Sequence, residues 1–586
     1  MNISSFDWII IGLFFAITLA LGILSTKKSG QSKAEYFLSG RNMPWWLLGV
    51  SMVATTFSAD TPNLVTDIIR KGGVAGNWVW WAFLITGMFT VFIYAKLWRR
   101  SGITTDLEFY ELRYSGKAAT FLRGFRSLYL GVFFNVMIMA TVMLAGIKIA
   151  GVMLGMSPEQ TVLLVSVITV IYASMGGLRG ILLTDFFQFT LSMAGMIAAA
   201  IYIVSLPEVG GLDKLISNPA VAGKIDFFPD FSDPNVAIPL FFVPIAVQWW
   251  SAWYPGAEPG GGGYIAQRML SARDEKDATK ATLFFNFAHY ALRPWPWILI
   301  ALASLILFPD MASIANAFPG ISDNILGDDI AFPAMLTYLP KGLLGLVVAA
   351  LIAALMSTIS THLNWGSSYI VHDFYARFVD QEASESRQVL VGRISTVALM
   401  LFSAVVALYL SNALQAFNIL LQIGAGTGLL FLLRWFWWRI NAFSELAAMI
   451  ISLFVAIYFE FMYEGDLESY EKLIIGVAIT SVVWISVTFL TRPTDMQTLQ
   501  RFYALIQPHK GGWRPVLDQM DTSSLNRVKT KLSQELISIF LGCIGIYSLL
   551  FGVGYLLYSE ILLAVCFCGV GIVALGYILL LLSKQD

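Results

Sequence analysis

Apolar runs of about twenty residues recur along the whole chain, and this repetition limits the fold more than any other feature. The hydrocarbon core of a bilayer is about 30 Å thick and takes about 20 helical residues to cross. Inside it every backbone amide must bond within its own segment. Fifteen segments meet or nearly meet that length. Numbered one to fifteen in order, they are residues 7–25, 45–69, 77–98, 125–153, 158–175, 181–205, 236–254, 281–308, 341–363, 390–411, 414–437, 441–463, 470–491, 533–557 and 559–582. Charged residues make up 13% of the chain and hydrophobic ones 57%, whereas soluble domains are about a quarter charged. Mean hydropathy is +0.71. The expectation is an all-α polytopic membrane protein of about 15 transmembrane helices. The longest polar stretch, 492–532, is too short to be a soluble domain.

Charge orients the segments. Positive residues concentrate in cytoplasmic loops. With the N-terminus outside, alternate loops contain all but eight of the 37 Lys and Arg residues, the exceptions being Arg70, Lys71, Lys148, Lys214, Lys224, Arg293, Lys341 and Lys472. The opposite loops are acidic, with Asp226, Asp230 and Asp233, then Asp310, Asp323, Asp328 and Asp329, then Glu464, Asp466 and Glu468. The first apolar run has no basic residues before it and Lys27 and Lys28 after it, the reverse of a signal peptide. A multi-pass protein of the cell (plasma) membrane is expected, N-terminus outside and C-terminus cytoplasmic. Cys543, Cys566 and Cys568 all lie in the last two runs and read as small lipid- or core-facing residues.

Two spans look interrupted. Span two carries a polar cluster with proline, Thr55 to Pro62, near mid-membrane, and span seven runs into Tyr254 to Gly263, rich in glycine and proline. Neither stretch suits continuous helix. Spans two to six and seven to eleven then form two sets of five, each opening on a broken helix, the sequence mark of an inverted-repeat transporter. A proline kink and an ordinary glycine-rich loop would look the same. Within span nine, Ser357, Ser360, Thr361 and Asn364 share one helical face. Such a stripe either glues helices together or offers oxygen to a hard cation. Asp185, at the start of span six, either answers Arg179 or binds a cation. Asp60 either caps the amides freed at Pro62 or lines a cavity. Arg293 needs a counter-charge in the membrane. Glu258 is one candidate, and an anionic solute is another. Gln415 and Gln422 could bond a polar solute or a neighbouring helix.

Other classes find no support in the sequence. There is no phosphate-binding loop, no zinc-protease motif and no nucleophile elbow, and the four histidines are dispersed. No repeated filter element suggests a channel. The chain is expected not to be an enzyme and to bind no nucleic acid.

The residues resemble the sodium:solute symporter family, which includes sodium/glucose, sodium/proline and sodium/sialic acid cotransporters. The resemblance rests on Phe37 to Arg41, Asp106 to Tyr114, the Gly-Gly-Leu and Thr-Asp-x-x-Gln element at 176–188, Tyr264 to Arg268, and above all Met356 to Asn364 followed by Asp373 to Tyr375. It implies a LeuT-like core with a 5+5 inverted repeat and extra flanking helices. The divisions are an extra N-terminal helix and loop at 1–44, repeats at 45–205 and 206–440, and C-terminal helices at 441–586 with the cytoplasmic loop 492–532. It implies a first sodium site formed by the carbonyls of Ala54, Phe57 and Ala354 and the hydroxyls of Ser357 and Thr358. Some members have a second sodium site, to which Asp185, Ser357, Ser360 and Thr361 correspond. One or two sodium ions are therefore expected.

The solute pocket departs from the family's sugar-binding pattern. Thr61 stands where sugar carriers have glutamine, Trp80 where they have glutamate, and Tyr290, with Arg293 close by, where they have lysine. The glycines at 260–263 are an addition. The pocket is expected among Asp60, Thr61, Trp80, Ser251, Tyr254, Glu258, Tyr290, Arg293 and Gln422. The function expected is sodium-coupled, secondary active import of a small polar organic solute by alternating access, with one chain sufficient. Carriage of an anionic solute is the alternative, and a transporter-like sensor a more distant one. The loop 492–532, with its aromatic and basic residues, is expected at the inner membrane surface.

Overall fold

The computed structural model of the protein describes residues 3–29, 32–251, 258–319, 326–410, 421–521 and 532–584. Among the described residues no strand forms, and a single isolated bridge joins Met43 to Ala272. Eleven helices among the described residues are long and apolar enough to cross a membrane, and Trp45–Thr56, Pro158–Ile171 and Pro234–Trp250 are shorter apolar helices. These occupy fourteen of the expected positions. Span eleven begins outside the described residues, so the count of fifteen is not established, although the helix Gly428–Leu433 lies at its far end.

Burial separates a core from flanks. In spans eight and nine, 83% of the most apolar window is buried in protein, against 28% for span one and 22% for span fifteen. Helices buried all round must pack against partners, whereas those with an apolar exposed face suit lipid. Span nine, Leu343–Tyr369, packs along Pro158–Val204 and touches Trp45–Thr56.

The interruption in span two is real. The helix Trp45–Thr56 stops at Phe57, whose φ of −85° and ψ of 73° leave the helical region, and a second helix starts at Asp60 and runs to Gly72. Pro62 falls in the first turn of that second helix, where a missing N–H costs nothing. Spans five and six form one trace, Pro158–Val204, broken at Gly177 (φ 53°, ψ −165°). Where the chain resumes after span seven, Gly260 and Gly261 adopt φ of +86° and +90° before the helix Gly263–Leu270 begins. A side chain would be strained at either position, which gives the glycine insert a structural reason.

Three of the eight positive charges that break the orientation pattern are paired with aspartates. Arg70 pairs with Asp328 at 2.7 Å, Lys148 with Asp329 at 2.7 Å, and Lys71 with Asp67 at 2.8 Å. Two adjacent loop aspartates thus grip two different spans. The polar loop does not simply lie at a lipid surface. Phe502 of the helix Met496–Ile506 and Trp513 are fully buried, stacked at 5.5 Å, with the Arg113 guanidinium 4.8 Å from the Trp513 ring centre. The three cysteines are unpaired, and Cys566 is exposed.

Candidate functional site

The break in span two meets the hydroxyl stripe of span nine. Thr358 Oγ donates to the Thr55 carbonyl at 2.7 Å and to the Ala354 carbonyl of its own helix at 3.2 Å. The Phe57 N–H bonds the Val53 and Ala54 carbonyls, closing the helix just before it unwinds. Ala54, Phe57, Ala354, Ser357 and Thr358 are all buried. The five residues expected at the first ion site therefore lie on two elements in direct contact. They supply only carbonyl and hydroxyl oxygens, a donor set that fits a hard monovalent cation.

Beside it lies a second polar cluster. Asp185 accepts hydroxyl hydrogen bonds from Ser51 at 2.5 Å and Ser357 at 2.6 Å, one on each carboxylate oxygen. Arg268, from the helix Gly263–Leu270, enters the same cluster. It donates to Thr361 Oγ at 2.8 Å and to Ser51 Oγ at 3.2 Å, and stands 3.9 Å from Asp185. Thr55 Oγ lies 3.1 Å from Thr361 Oγ. Asp185, Ser357 and Thr361 are thus brought together as expected. Ser360 instead donates to the Ser357 carbonyl of its own helix at 3.1 Å. Arg179, the other partner considered for Asp185, is not the one that reaches it.

The pairing of Glu258 with Arg293 does not occur. Glu258 forms a buried ion pair with Arg126, from the beginning of the helical segment Gly116–Leu154. Arg293 donates to Thr56 Oγ at 3.2 Å, contacts His289 Nε2 at 3.2 Å, and sits 5.2 Å from the Trp297 ring centre. Asp60 is a carboxylate within its electrostatic reach. Sequence separation hid this arrangement, because Glu258 and Arg126 are 132 residues apart.

Glu258 and Tyr290 line one cavity of about 60 Å³, with Thr86, Tyr264 and Asn286. Trp80 stacks on Tyr290 at 5.9 Å, behind the cavity wall. Glu258 Oε2 and Asn286 Oδ1 are buried and have no hydrogen-bond partner among the described residues. Small-molecule sites typically measure 300–1,000 Å³, so a solute can be taken here only if the helices part. Gln422 lies elsewhere, on a cavity of about 300 Å³ with Gln248, Glu468 and Lys472. Thr61 Oγ reaches back to the Thr56 carbonyl at 3.4 Å, and the buried Ser251 hydroxyl has no partner among the described residues. Tyr254 and Gln415 lie outside the described residues.

The far side of Glu258 is sealed by a polar network. Asp106 accepts from the Gly263 amide at 2.9 Å and from the Tyr369 hydroxyl. Burial, reinforced by the nearby Glu258 charge, pushes the Asp106 carboxyl up to about 6. Arg123 pairs with Asp373 and Glu111, both at 2.7 Å, and Arg434 lies 3.5 Å from Glu445. Sequence reasoning missed Ser51, Thr55, Arg126 and Arg268 as parts of the site. Ser51 and Thr55 carried a signal, being four residues apart on the face opposite the stripe.

Comparison with known proteins places the chain in a family. The profile of the sodium:solute symporter family matches residues 36–452. The chain is 26% identical to a sodium/glucose cotransporter of Vibrio parahaemolyticus over 479 residues, 79% of this chain and 86% of that one. It is 27% identical to a sodium/sialic acid symporter of Proteus mirabilis (strain HI4320) over 501 residues, 81% of this chain and 94% of that one. Its fold matches a solved structure of a Na⁺-coupled sialic acid symporter in a substrate-bound outward-open state, with a TM-score of 0.67 and 22% identity, covering 84% of this chain and all of that one. The chain belongs to the sodium:solute symporter family, and is a multi-pass, sodium-coupled secondary transporter of small polar solutes on a LeuT-like fold, not an enzyme.

Proposed function

We propose that this protein imports a neutral, hydroxyl-rich solute, with at least one sodium ion bound between spans two and nine. The observation that carries the solute class is the pair of unpartnered acceptors, Glu258 Oε2 and Asn286 Oδ1, in a cavity walled by Tyr264 and Tyr290. Hydroxyl donors satisfy such acceptors, and the rings offer apolar faces to a pyranose-like body. Among the described residues of that wall the one carboxylate, Glu258, is already paired with Arg126, and Arg293, the residue that would have favoured an anion, is bonded elsewhere.

The sodium site is formed by the carbonyls of Ala54, Phe57 and Ala354 with the hydroxyls of Ser357 and Thr358. An ion there holds the broken end of span two against span nine. A ligand shifts a conformational equilibrium only by its difference in affinity between the two states, so this bridge couples the ion to the gate. The network around Asp106, Arg123 and Asp373 is then the closed inner end, and the cavity at Gln422 the outer vestibule. The charge pattern supports that orientation, with the N-terminus outside.

A thermal-shift series of sugars, polyols, amino acids and carboxylates, run with and without sodium, tests the reading. Stabilisation by a neutral polyol or sugar, dependent on sodium, is expected. Stabilisation by carboxylates alone would refute the solute class. Proteoliposome uptake unaffected by removing the sodium gradient would refute the coupling.

A further inference from the structure

We propose that the Arg268 guanidinium is a tethered cation that a second sodium ion must displace from the cluster of Ser51, Asp185, Ser357 and Thr361. The inference rests on the sodium-coupled reading. It starts from the oxygens. Asp185 is the one carboxylate in the cluster, and each of its oxygens already accepts a hydroxyl. The remaining lone pairs, on Ser51 Oγ and Thr361 Oγ, face Arg268, which donates to the first through Nε and Nη2 at 3.2 Å and to the second through Nη2 at 2.8 Å. Arg268 and Asp185 are both completely buried. A sodium ion at this cluster would draw on the same oxygens and the same negative charge. Arginine keeps its proton under all working conditions, so it cannot yield by losing charge. Two cations beside one fully buried carboxylate repel strongly. One must leave.

The tether gives the exchange a direction. Arg268 rides on Gly263–Leu270, an eight-residue helix reached through the left-handed glycines 260 and 261. The same helix carries Tyr264 and Ile265, which line the solute cavity. Gln267 Oε1 accepts from Arg268 Nη1 at 2.8 Å, so the guanidinium keeps one partner when the helix shifts. Gln267 in turn donates to Asn364 and to the Phe37 carbonyl, both at 3.1 Å, and these are the bonds the shift would loosen. Replacing an internal cation by a free one thereby moves a wall of the solute cavity.

Two measurements on the full chain in detergent test this. The first is the sodium concentration at half-maximal thermal stabilisation. Arg268→Gln removes the competitor, so that midpoint is expected to fall at least tenfold and the binding curve to steepen, while Arg268→Lys, which keeps a tethered charge, stays near the unmodified value. A midpoint unchanged or raised in Arg268→Gln would overturn the proposal. The second uses the unmodified protein and stands even where Arg268→Gln does not fold. Hydrogen exchange over residues 263–270 is expected to accelerate when sodium is added, and exchange that slows or does not change would overturn the proposal. Failure of the coupling itself looks different, as sodium-independent uptake by the unmodified chain. Sodium-dependent uptake with an unaltered Arg268→Gln midpoint would refute the arginine's role alone.

Discussion

Thr358 donates a 2.7 Å hydrogen bond to the carbonyl of Thr55, across 303 residues of sequence, at the point where the helix of span two ends. The bond joins an intact helix to a broken one. It places hydroxyl and carbonyl oxygens together in a buried region, where an unpaired oxygen is costly. Thr358→Val or Ser357→Ala should therefore raise the sodium concentration for half-maximal uptake about tenfold or more, which corresponds to at least about 1.4 kcal/mol of binding energy. Ser360→Ala should leave that concentration nearly unchanged, because the Ser360 hydroxyl donates to its own helix. Equal effects at positions 357 and 360 would contradict this assignment.

The ion pair between Arg126 and Glu258 is buried, with both side chains 4% exposed. Removing one partner strands the other charge, a loss of about 3–5 kcal/mol in comparable cases, whereas replacing both by apolar groups costs far less. Glu258→Gln should lower the melting temperature sharply, and Arg126→Met combined with Glu258→Leu should recover most of it. A double variant less stable than either single one would show that the pair contributes beyond mutual neutralisation.

Asp106 gives a pH dependence with a definite sign. Its carboxyl lies at about 6 in the folded chain, against an ordinary value of 3.8, because burial disfavours the charged form. The fold therefore gains stability from the protonated acid. That gain is complete below pH 4 and is lost as pH rises through about 6. A displacement of this size amounts to about 3 kcal/mol at 1.4 kcal/mol per pH unit. Between pH 4 and 7 the melting temperature of Asp106→Asn should change less than that of the unmodified protein. Parallel curves would argue against a raised Asp106.

Trp513 anchors the polar loop. Its ring is fully buried against Phe502 and Arg113, and its N–H donates to the Trp435 carbonyl at 3.0 Å. Trp513→Ala should cost about 3–5 kcal/mol and expose the stretch 492–521 to trypsin. Loss of stability without new cleavage there would mean that the loop is held by its other contacts, such as Arg100 to the Ile506 carbonyl at 2.6 Å.

The spans and the break at Phe57 were legible because they depend on local rules, namely apolar length and the position of a proline. The stripe on span nine was legible as a face but not as a site, and its four members separated once neighbours were present: Ser357 and Thr361 point to Asp185 and Arg268, Asn364 to Gln267, and Ser360 to its own backbone. Long side chains were the least legible. Arginine reaches several ångströms from its backbone and takes its partner from whichever helix packs nearby, so neither Arg126 with Glu258 nor Arg268 with Thr361 could be read from spacing. The aromatic and basic loop 492–532 suited a lipid surface equally well. Only packing decided that Phe502 and Trp513 face protein.

Asp328 and Asp329 follow one another in the chain, yet one holds Arg70 at the end of span two and the other Lys148 in span four. Neighbouring residues cannot move apart. The distance between those two spans at this end is therefore clamped by a bracket one peptide unit wide. Any rocking that spreads them must first break an ion pair, and these two bonds set a threshold force for the motion, separate from the binding energy of any ion or solute.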